Sequence, residues 1–117
     1  MAKNRVFATG RQLSLVPTDP ANPASGDPVV VGQLGGVALT GRRSDGTVTI
    51  ALDGVFELPV RGVDGAGNSA VAVGDIVFYV AADTPKLSKK NTGVRFGYAL
   101  GTVTAGGTAT IPVRLGY

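Results

Sequence analysis

Apolar and polar positions alternate with a period of two over much of the chain. Thr47-Val48-Thr49-Ile50-Ala51-Leu52 sets Val48, Ile50 and Leu52 on one face and Thr47 and Thr49 on the other, the pattern of a half-buried strand. Val55 to Val60 repeats it, with Phe56 and Leu58 opposite Glu57, and Thr108 to Leu115 does so with Ala109, Ile111, Val113 and Leu115. Asn4 to Ala8 is a short apolar stretch after a basic start, and shorter strands are predicted at Gln12 to Val16, Pro28 to Val31, Gly36 to Thr40, Ile76 to Val80 and Val94 to Leu100. Pro112 lacks a donor N–H, so an edge strand or a bulge is expected there.

Between these segments the text is turn-forming. Asp45-Gly46 and Asp53-Gly54 are tight-turn signals, because Asp bonds its own backbone and Gly accepts positive φ. Pro17 to Asp27 holds three prolines and reads as a surface loop. Arg61 to Ser69 is a glycine-rich loop, and Asp83 to Gly93 a polar loop or small hairpin. No stretch has helical periodicity. The prediction is an all-β chain with little or no helix, folded as a small β-barrel or sandwich in a single domain over 1–117, with 1–10 as an extended N-terminal arm.

Part of the text occurs twice. Gly26-Asp27 and Gly74-Asp75 each open an apolar run, Gly36-Val37-Ala38-Leu39 corresponds to Gly97-Tyr98-Ala99-Leu100, and Gly46-Thr47-Val48-Thr49-Ile50 to Gly107-Thr108-Ala109-Thr110-Ile111. The last two pairs share one offset. The reading is an internal two-fold-like repeat of units 26–60 and 74–115, which face each other across one core. The second is lengthened across Asp83 to Gly93.

Composition narrows the chemistry. Of 117 residues, 44% are hydrophobic and 16% charged, which is apolar enough to fold and sparing in surface charge. Part of the surface is therefore expected to be covered by copies of the chain or by a partner. Cysteine and histidine are both absent, which removes disulfides, thiolate metal sites, the commonest general base and the Ser-His-Asp arrangement. No phosphate loop ending in Gly-Lys-Ser/Thr occurs. In Asp64-Gly65-Ala66-Gly67-Asn68 a calcium loop would need a ligand where Ala66 stands and a glutamate where Asp75 stands. Most acids sit beside glycine, as turn residues do. No catalytic residue, metal or cofactor is predicted. No apolar run reaches membrane-spanning length and Met1 to Gly10 has no signal-peptide core, so a soluble product made in the cytoplasm is expected.

The formal net charge of +3 is mild for a nucleic-acid binder. Gly26 to Gly36 resembles the Gly-Asp-x-Val text of SH3-like RNA-binding barrels, but no basic residue lies between Gly26 and Leu39. The aromatics are scattered and form no stacking platform. A nucleic-acid module is the alternative reading, and a tail or baseplate adaptor another.

Met1 to Asn4, Gly26 to Gly32, Gly36-Val37-Ala38-Leu39-Thr40, Asp53-Gly54-Val55-Phe56-Glu57-Leu58-Pro59, Val73-Gly74-Asp75 and Thr110 to Leu115 together resemble the capsid decoration, or cement, proteins of tailed phages. Members are often labelled recombinases related to ATP-dependent strand-exchange proteins. The missing phosphate loop and short length speak against that label here. The resemblance implies a non-enzymatic virion protein on the outer capsid surface, a homotrimer bound to the major capsid protein, with no nucleic acid and no membrane. The candidate capsid contact is the basic arm Met1, Ala2, Lys3, Asn4 and Arg5. The basic loop residues Arg42, Arg43, Lys86, Lys89 and Lys90 are further candidates.

Overall fold

The computed structural model describes residues 12–115, which hold no helix. In chain order the strands are β1 (Gln12–Leu15), β2 (Pro28–Val31), β3 (Leu34–Ala38), β4 (Val48–Ala51), β5 (Val55–Arg61), β6 (Val63–Asp64), β7 (Gly67–Asn68), β8 (Ile76–Tyr79), β9 (Leu87–Ser88), β10 (Val94–Ala99) and β11 (Thr108–Leu115). The all-β expectation holds. Five of them close into a barrel in the order β10-β11-β5-β9-β8, and four form an open antiparallel sheet in the order β1-β4-β3-β2.

The period-2 text explains both bodies. In the barrel, Leu58 and Val60 of β5 and Ile111, Val113 and Leu115 of β11 point inward and are buried, and Val77, Tyr79, Leu87, Phe96 and Ala99 complete the filling. The rings of Tyr79 and Phe96 stack with centroids 6.3 Å apart. A small barrel of this kind is filled by side chains and leaves no channel. In the open sheet, Leu13 pairs with Ile50 and Leu15 with Val48 across β1 and β4. Val29, Ala38, Val48 and Ile50 make a second buried cluster on that face. Their neighbours Val30 and Val37 point the other way and join the barrel's cluster, so the sheet is packed on the barrel by the opposite faces of β2 and β3. Gly35 permits the contact, since a Cβ there would stand 2.9 Å from the Phe96 ring.

The two Gly-Asp turns are built alike. Gly26 and Gly74 have φ of 93° and 94°, which favours glycine. Asp27 Oδ2 accepts from the N–H of Ala24 at 2.9 Å, and Asp75 Oδ2 from that of Ala72 at 2.8 Å. The Gly26 N–H donates to Ala38 O and the Gly74 N–H to Ala99 O, both at 2.7 Å. Farther on the two stretches part. Ala38 lies opposite Ile50, whereas Ala99 lies opposite Val113, two residues past the counterpart of Ile50.

Four sequence readings change. The units 26–60 and 74–115 meet in one buried cluster, to which the first brings Val30, Val37, Leu58 and Val60, but they are not built as matching halves: β2, β3 and β4 lie in the open sheet, while β5 joins the barrel. Within Arg61 to Ser69, β6 and β7 form a minimal hairpin. Asp83 to Gly93 carries β9, which pairs parallel with β5 and antiparallel with β8 and so closes the barrel. Pro112 sits in a barrel strand with neighbours on both sides. It is tolerated because its carbonyl accepts from Leu100, just past the end of β10, so its missing donor faces a point where that ladder has stopped.

Barrel closure thus rests on a two-residue strand whose Leu87 is fully buried. Leu87→Ala is expected to cost about 3 kcal/mol of unfolding free energy. Replacing the exposed Thr102 by Ala should cost less than about 0.5 kcal/mol. Urea unfolding of both variants checks this, and equal midpoints would show that Leu87 carries no closure.

Candidate functional site

The predicted arm, Met1 to Arg5, lies outside the described residues, so its candidacy continues as a proposal. The described residues begin with β1, at one edge of the open sheet, and no other described strand than β4 pairs with it. The opposite edge, β2, is covered. Val30 donates to Asp19 O at 2.9 Å and accepts from Thr18 N at 2.9 Å, and Gly32 N donates to the Thr18 hydroxyl at 2.8 Å.

The basic loop residues are engaged within the chain. Lys86 Nζ meets Asp19 Oδ2 at 2.7 Å, and Lys90 Nζ meets Asp83 Oδ2 at 2.7 Å. Lys89 Nζ lies 3.3 Å from Asp75 Oδ2 and donates to Ser69 Oγ at 3.1 Å and Ala70 O at 3.0 Å. These lysines sit where β9 and its flanks are held between strands, so their charges fasten the segment that closes the barrel. Arg42 and Arg43 are exposed. Arg42 donates to Ala21 O at 3.2 Å and Arg43 to the Thr49 hydroxyl. The structure does not bring the two arginines and the three lysines into one network.

A joint that sequence reading missed lies between sheet and barrel. Asp19, from the proline-rich loop, accepts from both Lys86 and the Tyr79 hydroxyl. The Lys86 ammonium also stands 5.6 Å from the Tyr79 ring centroid. Hydrogen bonding to Lys86, and then to Tyr79, holds the Asp19 carboxyl below its ordinary pKa. Burial, reinforced by the neighbouring Asp19 carboxylate, pushes the Tyr79 hydroxyl far above the usual phenol range. Asp75 is held low by the Ala72 N–H and, to a smaller extent, by Lys89. Beside the joint, Pro20, Pro28, Pro59 and Pro85 with Asp27 and Lys86 line a cleft of about 270 Å³. The one acid among the prolines of 17–23 was the available clue, but nothing in the text pairs it with residues sixty or more positions away.

The arrangement offers a proline-walled cleft and, at β1, a sheet edge with no second neighbour among the described strands, features that suit contact with another protein surface. A model of the phage cement protein family matches residues 7–115. Searches of the curated proteins and of the solved structures returned no match. The family match covers nearly the whole chain, so the chain belongs to the phage cement proteins, a structural family associated with the phage capsid.

The Asp19 joint has a pH signature. A carboxyl with a lowered folded pKa contributes stability above its unfolded pKa, near the ordinary value of 3.8, and that stability disappears as pH falls through the folded pKa. Asp19→Asn should therefore flatten the acid limb of the stability curve while leaving its alkaline limb in place. Thermal melts from pH 7 to 2 check this; an acid limb identical to that of the parent chain would remove Asp19 as a contributor. In alkaline ultraviolet titration Tyr79 should stay un-ionised until the chain unfolds.

Proposed function

We propose that this member of the phage cement family binds the outer surface of the head as a homotrimer at three-fold positions and stabilises contacts between major capsid subunits. The observation that carries the reading is the family match over residues 7–115. Each contact made by the bound protein exists only in the assembled shell. By mass action it favours the closed shell over its separated subunits. Three-fold repetition makes the contacts multivalent, so individually weak ones suffice.

The arm Met1 to Arg5 is the primary proposed contact. An extended arm of this kind can add as a strand to an edge of the capsid protein through backbone hydrogen bonds, while Lys3 and Arg5 meet acidic side chains. Arg42 and Arg43, both exposed, are proposed as secondary contacts. Lys86, Lys89 and Lys90 serve the surface indirectly by fixing the loop that bears them.

Deleting Met1 to Arg5 should reduce binding to purified heads at least about tenfold in a pelleting assay, with the melting temperature of the chain unchanged. Unaltered stoichiometry on heads would eliminate the arm as the contact. Finding the full-length chain in purified particles at a near-fixed ratio to the major capsid protein would support the wider reading, and its absence would refute it.

A further inference from the structure

The outer face of β5 and β11 is the longest regular surface of the barrel, and no described element packs over it. Four rungs face outward: Val55 opposite Arg114, Glu57 opposite Pro112, Pro59 opposite Thr110, and Arg61 opposite Thr108. All of them are exposed except Pro112, which is half-buried. At the usual rise per residue the four rungs span about 20 Å. Val55 is 54% exposed, and Leu100 beside Pro112 is 40% exposed, so two of the few large apolar side chains left in solvent border this strip. Pro59 continues it into the proline-lined cleft.

The charges on the strip are unlike the others. The remaining described acids and bases are occupied within the chain: in the Lys86, Lys89 and Lys90 pairs, in turns such as those of Asp27, Asp45 and Asp64, or in contacts such as those of Arg42, Arg43, Asp53 and Arg95. Glu57, Arg61 and Arg114 make no side-chain hydrogen bond or ion pair with any described residue, and all three stand on this one face. Among the described residues, ionic groups are satisfied internally except on a single strip that also exposes apolar side chains. Solvent-exposed charges need no partner, so the lack alone decides nothing. Its coincidence with exposed Val55 and Leu100 on a flat two-stranded face is what marks an interface.

The occupant follows from the placement of the signs. Glu57 lies on β5 and Arg114 on β11, the two sides of the strip. If one copy lays its β5 side against the β11 side of the next, Glu57 meets Arg114 and Val55 meets apolar surface near Leu100. This contact is head-to-tail and can close into a ring; it pairs Glu57 with Arg114, while Arg61, on the β5 side two rungs from Glu57, takes no part in the pairing. We infer that the outer face of β5 and β11 is the surface through which copies of this chain associate, with Glu57 of one copy facing Arg114 of the next. The inference rests on the trimeric reading above and names the face that builds the trimer.

Glu57→Arg, Arg114→Glu and the double exchange test it. All three alter exposed side chains, and unchanged melting temperatures would verify folding. Light scattering over a concentration series, without heads, reads self-association; pelleting with heads reads capsid binding. Each single reversal should raise the concentration needed for trimer formation about tenfold or more, and the double exchange should restore it. Trimers that persist in both single variants would overturn the inference, as would a parent chain that remains monomeric both in solution and when chemically cross-linked on heads. Reversals that leave self-association intact but abolish head binding would also overturn it, by giving this face to the capsid protein. Because the assays are separate, failure of the interface and failure of the capsid reading are told apart.

Discussion

The closure of the barrel by Leu87 and Ser88 is the constraint on which the rest of the molecule depends. Without that short strand, β5 and β8 would each present a free edge, and the inward faces of Val60 and Tyr79 would lack a neighbour. A two-residue strand has little pairing strength of its own. It is held by a buried leucine and by flanking lysines, of which Lys86 reaches Asp19 and Lys89 reaches Asp75 on other parts of the chain, while Lys90 meets Asp83 at the start of the same segment. Half-buried pairs of this sort, still in touch with solvent, contribute little free energy individually. Their importance lies in position: they fix the ends of the strand that completes the ring.

The same segment couples barrel to sheet. Lys86 precedes Leu87 directly, and its partner Asp19 belongs to the loop that covers the edge of β2. Asp19 also receives the hydroxyl of Tyr79, whose ring fills the barrel against Phe96. The opposite faces of β2 and β3 serve two clusters, so the sheet cannot slide on the barrel by one residue without turning Val30 and Val37 out of the barrel core. Load carried by one body is thereby passed to the other through side chains already close-packed.

Much of the fold was legible in the sequence because the strands obey a period of two. Val48 and Ile50, and Ile111, Val113 and Leu115, fell on the faces their spacing predicted. The Gly-Asp turns were legible because positive φ and a capping carboxylate require those residues. The strand β9 was hidden, since Leu87 and Ser88 are too short for periodicity to register and lie among lysines that look like loop. Those lysines drew attention as a basic cluster, yet Asp19 stands 67 positions from Lys86, and only the folded chain brings them together. Conversely, Glu57, Arg61 and Arg114 read as ordinary outward positions in alternating strands. What sets them apart is the lack of partners among the described residues, a property that no linear pattern encodes.

The treatment of edges ties the fold to its role. The barrel has none, because its strands close on themselves. At β2 the backbone of Thr18 and Asp19 takes up the hydrogen bonds of Val30. Among the described strands of the barrel and the open sheet, that leaves β1 as the one edge with no described neighbour on its far side. A surface protein with several open edges would join copies of itself without limit. One with few edges can restrict strand addition to one extended segment per copy. If association between copies runs instead through the side chains of β5 and β11, the two kinds of contact use different chemistry, backbone pairing for the shell and side-chain complementarity for the ring. Neither then competes with the other, and a lattice of fixed stoichiometry can form.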